Sequence, residues 1–415
     1  MEKVILIGAS LKTDFTHSHA LEELARLAET AGGKVCAAYH VRVQSFNAAT
    51  LIGTGKLQEI AAECENQQID SVIFDEEITP AQQKNLEDIL PAKVIDRTRL
   101  ILDIFAQRAR TQEGKLQVEL AQLNYLLPRL SGKGTAMMQQ KGGIGMRGPG
   151  ERKLEYDRRR LRARISRLEQ EIEQVKKERS LRREKRQRVP LPQIALIGYT
   201  NAGKSTLLNS LTQEQAVYAD DKLFATLDPT TRRVPMKGGG QMLFTDTVGF
   251  IQKLPHSLVS AFRATLEETA FADVLLHVHD SASEERETQS QTVHQILTDL
   301  QASRLPIIDV FNKTDLLSAP RLQALKKAYP QAIFISAQNA KGLNTLLKAV
   351  EKALKTKWKV RPLQLSAKQA DLIGQIYTRS LVLSSTATAD GGLKLKIMAT
   401  DGNYAELLKK TTLPC

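Results

Sequence analysis

Three cysteines, Cys36, Cys64 and Cys415, are all that the chain carries in 415 residues. They are too scattered for a disulfide framework or a metal-ligand spacing, and the expectation is a reducing, cytoplasmic setting. Long apolar runs are missing as well: none reaches the ~18 residues that span a bilayer. The opening Val4-Ile5-Leu6-Ile7 is too short for a signal-peptide core and reads as a first strand.

Acidic residues are scarce in one place. Between Pro128 and Pro190 there are 20 Lys/Arg against 8 Asp/Glu, which accounts for nearly all of the net charge of +13. A basic surplus confined to one segment suits docking to a polyanion such as RNA; the alternative is a solvated helix face of mixed charge.

The length alone suggests about three domains, and the pattern divides into four. Residues 1–112 alternate strands (Val4–Ile7, Val35–Tyr39, Ser71–Phe74, Lys93–Ile95) with helices near 19–31, 56–68 and 80–90, as in an α/β domain with a parallel sheet. Thr79 and Pro80 mark the start of the third helix. Residues 113–190 read as a basic antiparallel helical hairpin. One stripe is Leu116, Leu120, Leu123, Leu127 and Leu130. The other is Leu154, Leu161, Ile165, Leu168, Ile172 and Val175. The Gly-rich stretch between them, 131–150, carries Lys133, Lys141 and Arg147 and is either a linker or a probe for RNA. Arg152, Lys153, Arg158, Arg159, Arg160 and Arg162 complete the candidate RNA-binding set. The absence of a Trp or Phe anchor from the heptads argues against a lipid surface. Residues 191–357 alternate strands and helices again, as a doubly wound, mostly parallel sheet. Residues 358–415 read as a small α+β domain, with a helix near 366–379 and a hairpin of Leu381–Thr386 and Leu393–Met398.

The chemistry lies in the third segment. Strand Gln193–Ile197 runs into Gly198-Tyr199-Thr200-Asn201-Ala202-Gly203-Lys204-Ser205, a phosphate-binding loop in the required strand-to-helix setting. Its backbone N–H groups and the following helix N-terminus face an anion, Lys204 neutralises the β- and γ-phosphates, and Ser205 offers a hydroxyl to Mg2+. Asn312-Lys313-Thr314-Asp315 after another strand selects guanine, whose N1–H and 2-amino group a carboxylate such as Asp315 accepts together. Ser336-Ala337-Gln338 suits a backbone contact to guanine O6. Asp246-Thr247-Val248-Gly249 places Asp246 to hold Mg2+ through water and lets the Gly249 backbone approach the γ-phosphate. Phe224-Ala225-Thr226-Leu227-Asp228 suits a switch loop, with Thr226 the first choice for a second Mg2+ hydroxyl and Thr230 and Thr231 as competitors. Lys204, Thr226 and Gly249 are the candidate catalytic residues. Where Ras-like GTPases have a water-orienting Gln, this chain has Phe250. Asn201 either bonds backbone within its loop or helps hold K+ beside the transferring phosphoryl group.

Together these residues resemble the HflX family of ribosome-associated GTPases. The resemblance extends to Gly53-Thr54-Gly55-Lys56 with Glu59, Val94-Ile95-Asp96-Arg97-Thr98, Ile104–Ala109, Gly114–Leu120, Lys141–Gly145 and Arg147–Glu151. It implies a monomeric GTP hydrolase on the large (50S) ribosomal subunit and its rRNA, acting in ribosome splitting, rescue or biogenesis. Arg152-Lys153 depart from the family's usual Thr at the first of the two positions. Gly53–Lys56 is either a turn capping a helix or a trace of the ATP binding considered for the family. The rival to an active hydrolase is a GTP-gated ribosome-binding module with little hydrolysis of its own, which Phe250 favours and the complete phosphate motifs oppose.

Overall fold

The computed structural model describes residues 1–11, 20–130, 149–187, 191–212, 224, 229–236, 240–251, 269–299, 302 and 304–412. Two compact units divide the chain. Met1–Gln174 forms the first, together with Phe224, and the second is built from Val175 onward.

The first unit begins with a four-stranded parallel sheet in the order β2-β1-β3-β4, made of β1 (Glu2–Leu11), β2 (Gly33–Val43), β3 (Ser71–Phe74) and β4 (Lys93–Asp96). β1 and β3 are buried along almost their whole length, as strands covered on both faces must be. Helices α1 (Ala20–Thr30), α2 (Thr54–Gln67) and α3 (Pro80–Ile89) alternate with them. Thr79 caps α3 with a full capping box and Pro80 opens it, as its sequence predicts. Gly53 is the N-cap of α2, so Gly53–Lys56 is the turn into that helix, with Lys56 paired to Glu59 at 2.6 Å.

The Asp96-Arg97 pair stitches the sheet to the helices that follow. Asp96 ends β4, caps α4 (Arg97–Arg108) by accepting from the Arg99 N–H at 2.8 Å, and accepts the Tyr125 hydroxyl of α5 (Gln112–Arg129) at 2.9 Å. Arg97 is buried and donates to Asp75 at 2.6 Å and to Glu23. On α5 the buried face is Leu116, Gln117, Val118 and Ala121, while Leu120, Leu123, Leu127 and Leu130 are only half-buried. Apart from Leu116, the expected leucine stripe is therefore not the most buried line of α5, a helix that packs with α4. The long helix α6 (Pro149–Gln187) does bury Ile165, Leu168 and Ile172 as the heptads predict, and Arg164 forks onto Glu119 of α5 with two 2.8 Å bonds.

The second unit holds a six-stranded sheet in the order β10-β9-β8-β5-β7-β6. Its strands are β5 (Gln193–Gly198), β6 (Thr230–Pro235), β7 (Gln241–Asp246), β8 (Val274–Asp280), β9 (Ile307–Asn312) and β10 (Ile333–Phe334), parallel except for β6. The helices are α7 (Lys204–Thr212), α8 (Arg286–Asp299), α9 (Ala319–Ala328) and α10 (Leu343–Leu354). A three-stranded antiparallel sheet follows, from β11 (Lys359–Leu365), β12 (Leu381–Ala387) and β13 (Leu393–Ala399), with α11 (Ile373–Arg379) and α12 (Asp401–Thr412) against it. The predicted hairpin is β12–β13, and the helix near 366–379 is a 3-10 segment at Ala367–Leu372 followed by α11. β11 and α12 went unread in the sequence. Trp358 and Met398 belong to the same core as the six-stranded sheet, and Asp273 accepts from Trp358 Nε1 at 3.0 Å and from the Gln193 N–H at 2.9 Å. Among the described residues no helix is long and apolar enough to cross a membrane.

Replacing Arg97 by Met leaves Asp75, whose side chain is 1% exposed, without its nearest cation. Loss of one partner of a buried pair costs about 3–5 kcal/mol. Urea denaturation should show the variant's first transition at a clearly lower midpoint, and an unchanged midpoint would deny the pair this role.

Candidate functional site

The loop after β5 is shaped by what surrounds it. Thr200 N–H donates to Phe250 O at 2.8 Å and Phe250 N–H to Gly198 O at 3.1 Å, so the phosphate-loop sequence and the segment after Asp246 run as one short ladder. Gly249 lies at this crossing: a Cβ there would stand 2.8 Å from Thr200 Cα and 3.0 Å from Lys204 Nζ. Gly203 takes a left-handed φ of 89°, and its Cβ would meet Asn312 Nδ2 at 2.2 Å. Only glycine fits where this amide approaches the loop.

Asn312 is the bridge of the site. Its Nδ2 donates to Ala202 O at 2.9 Å, and its Oδ1 accepts the Ala337 N–H at 2.9 Å. One buried side chain therefore fastens the 198–205 loop and the 336–338 loop to the end of β9. Ser336 steadies its own loop by accepting the Asn339 N–H on Oγ at 3.2 Å and by backbone bonds with Lys341. Lys313, at φ 61°, sends Nζ to Asp280 Oδ2 at 2.7 Å, and Thr314 Oγ1 donates to Ile335 O at 2.9 Å. These ties leave Asp315 exposed on the one-turn helix Thr314–Leu316. Asp280 had no part in the sequence-derived site. Its pairing spans 33 residues and becomes visible only once β8 and β9 lie in register, Asp280 beside Asn312.

At the phosphate end, Lys204 is buried and donates to Gly198 O at 3.1 Å and Tyr199 O at 2.9 Å. Burial pulls its ammonium down to about 8 while Asp246 pulls the other way. Polyphosphate oxygens would add the compensating negative charge that carbonyls cannot. Ser205 Oγ donates to Asp246 Oδ2 at 2.6 Å. This hydroxyl-carboxylate pair is the hard-oxygen donor set that Mg2+ takes, so the residues fit that ion. Thr247 Oγ1 donates to Leu196 O at 2.6 Å and is committed to the fold. Val248 and Phe250 are buried apolar side chains, and Asn201 is half-buried with a left-handed φ of 60°.

The structure thus gathers Gly198 to Ser205, Asp246 to Gly249, Asn312 to Asp315 and Ser336 to Gln338 at the C-terminal ends of the parallel strands, where open α/β sheets bind ligands. Of the other candidates, Thr230 stands beside Asp246 as its register partner on β6. Phe224 is buried with its ring edge-on to Phe105, centroids 4.6 Å apart. Thr230 and Thr231 sit in β6, and Thr231 Oγ1 is 3.0 Å from Thr245 Oγ1. Ala225, Thr226, Leu227, Asp228, Lys133, Lys141 and Arg147 fall outside the described residues. Arg152 and Lys153 lie on α6, where Arg159, Arg160 and Arg162 are exposed and Arg158 is half-exposed.

The chain matches three family models in succession: "GTP-binding GTPase N-terminal" over residues 18–106, "GTP-binding GTPase Middle Region" over 108–186 and "50S ribosome-binding GTPase" over 193–313. It is 51% identical to GTPase HflX of Caldanaerobacter subterraneus subsp. tengcongensis, an alignment covering 85% of this chain and 81% of that one. To GTPase HflX of Escherichia coli K12 it is 43% identical, covering 86% and 84%. A solved GTP-binding protein from Sulfolobus solfataricus in complex with GDP aligns with 27% identity and a TM-score of 0.47, covering 86% of this chain and 99% of that one.

The exposed carboxylate of Asp315 generates a test of base selection. Asp315→Asn should lower GTP affinity at least ~10-fold and raise that for xanthosine triphosphate, because an amide donates where xanthine has its 2-oxygen. Competition binding with GTP, ATP and XTP measures this, and unchanged discrimination would remove Asp315 from a guanine site.

Proposed function

Because the chain belongs to the HflX family of GTPases, we propose that it binds GTP in the site braced by Asn312 and works on the large ribosomal subunit, in ribosome splitting, rescue or biogenesis. The observation that carries the reading is the Asn312 bridge, which holds a phosphate loop and a guanine-selecting sequence at one place. The chain is a GTPase, and the reaction is attack of water on the γ-phosphate with GDP leaving.

In this reading Lys204 and the N-terminus of α7 take the phosphate charge, and Gly249 lets backbone reach the γ-phosphate. Ser205 directly and Asp246 through water would hold Mg2+, which offsets charge on the phosphates. Thr226 remains the proposed second hydroxyl. Asp315 accepts from guanine, the Lys313 stem covers the base, and the 336–338 loop faces O6. Phe250 is 2% exposed and its backbone is spent on the Gly198–Thr200 ladder, so it cannot orient water. Hydrolysis by the isolated chain should therefore be slow, with the stimulus supplied by the ribosome or by K+ held at Asn201. Arg158, Arg159, Arg160 and Arg162 on α6 offer phosphate contacts to rRNA, and Lys133, Lys141, Arg147, Arg152 and Lys153 add to them in this reading.

The same burial of Phe250 favours the second reading, a GTP-gated ribosome-binding module with little hydrolysis. Multiple-turnover GTP hydrolysis, with and without 50S subunits and in K+ against Na+ at equal ionic strength, separates the two. We expect slow turnover alone, at least ~10-fold acceleration by subunits, and faster rates in K+. Co-sedimentation at several salt concentrations should show Arg159→Gln/Arg160→Gln/Arg162→Gln binding subunits more weakly and with a shallower salt dependence. Binding without acceleration would establish the gated module, and no binding in any nucleotide state would refute the ribosomal role.

A further inference from the structure

Strand β8 contains an anomaly that nucleotide chemistry does not use. Its sequence is Val274-Leu275-Leu276-His277-Val278-His279-Asp280, and its first six residues are buried. Two histidines at i and i+2 on one face of a buried strand replace the aliphatic residues that such a strand favours. Their rings lie 3.8 Å apart. Asp309 stands beside them on β9, as the register partner of His277.

The three side chains converge on one point. His279 Nε2 is 3.0 Å from Asp309 Oδ1, and His277 Nδ1 is 3.4 Å from the same oxygen. The two imidazole nitrogens and the carboxylate oxygen all lie within 4.8 Å of one another. His277 is 1% exposed, and its buried Nδ1 faces Asp309 Oδ1 at 3.4 Å without a well-aligned hydrogen bond, a costly arrangement for a polar atom.

The group opens on a cleft of about 380 Å³ whose lining includes His279, Arg286, Glu287, His294, Asp309 and Tyr329. None of these residues belongs to the nucleotide motifs. His294, on α8, stands T-shaped with its ring 5.5 Å from that of His277. Arg286 brings a positive charge to the rim, and Glu287 and Asp309 offset it.

From this geometry we infer that His277, His279 and Asp309 form a site for a divalent transition-metal ion, Zn2+ in the first instance. Bonds of about 2.0–2.1 Å from nitrogen or oxygen to tetrahedral zinc put neighbouring ligand atoms roughly 3.3 Å apart. The 3.0 and 3.4 Å separations match that edge length. Two imidazoles and one carboxylate are a donor set for zinc, copper or nickel and a poor one for magnesium or calcium. Solvent in the cleft, or His294, completes the fourth position. The ion would join β8 to β9 three residues before Asn312, apart from any Mg2+ at Ser205 and Asp246. The site is independent of the ribosomal reading.

The test is equilibrium dialysis of the full-length, tag-free chain against Zn2+, with Cys36→Ser/Cys415→Ser as the background so that these two thiols do not contribute. Co2+ serves as a spectroscopic probe of coordination. One equivalent of Zn2+ should bind, and Co2+ should give the intense visible bands of a four-coordinate site. His279→Ala and Asp309→Asn should each weaken Zn2+ binding at least ~10-fold. Asp309 is half-exposed, so its amide variant should fold, and retained GDP affinity checks both variants. Binding that neither substitution weakens, or no Zn2+ bound above the level of His279→Ala, would overturn the assignment.

Discussion

The Asn312 side chain is the single interaction on which the rest of the nucleotide site depends. A buried amide has one acceptor and one donor end, and here each is taken by backbone from a different loop, Ala337 N–H on one side and Ala202 O on the other. No charged or hydroxyl side chain offers both functions in this flat geometry. Gly203 follows from the same contact, since a Cβ would occupy the space that the amide fills. Residues 110 apart in sequence are thereby held side by side, Asn312 at the end of β9 and Ala202 in the loop after β5.

The sheet makes this possible by ending its parallel strands on one side in a stagger, Asp246 level with Leu276, Gly198 with Val278 and Asp280 with Asn312. β5 ends at Gly198, β7 at Asp246, β8 at Asp280 and β9 at Asn312. Each of these residues, or the one after it, turns into the site. The ladder between Gly198, Thr200 and Phe250 then fixes the spacing of the first two strands beyond their last sheet bonds. That ladder also sets what Phe250 contributes, which is backbone bonding and core packing.

The motifs were legible in sequence because each meets a local demand. The phosphate loop needs glycine and lysine at fixed intervals, and guanine selection needs a carboxylate three residues after an asparagine. Capping by Thr79 and Pro80 is equally local. What escaped reading depends on packing across the fold. The buried face of α5 differs from the leucine stripe because its leucines advertise a coiled coil, while Gln117, Val118 and Ala121 are the side chains buried on a helix that packs with α4. β11 hides behind Pro362, which a strand tolerates at the edge of a sheet, where β11 lies. The Asp280–Lys313 pair needs the register of β8 and β9. So does the meeting of His277 and His279 with Asp309, which no spacing of His and Asp in the chain announces.

Hydrogen exchange by mass spectrometry on Asn312→Ala and the wild-type chain, both without nucleotide, tests the bridging role most directly. Loss of one amide that ties two loops should speed exchange in both, across residues 198–205 and across 335–341, while protection in β1 and β3 stays unchanged. Acceleration confined to the 335–341 loop, with 198–205 exchanging as in the wild type, would contradict the claim that Asn312 holds the phosphate loop in place.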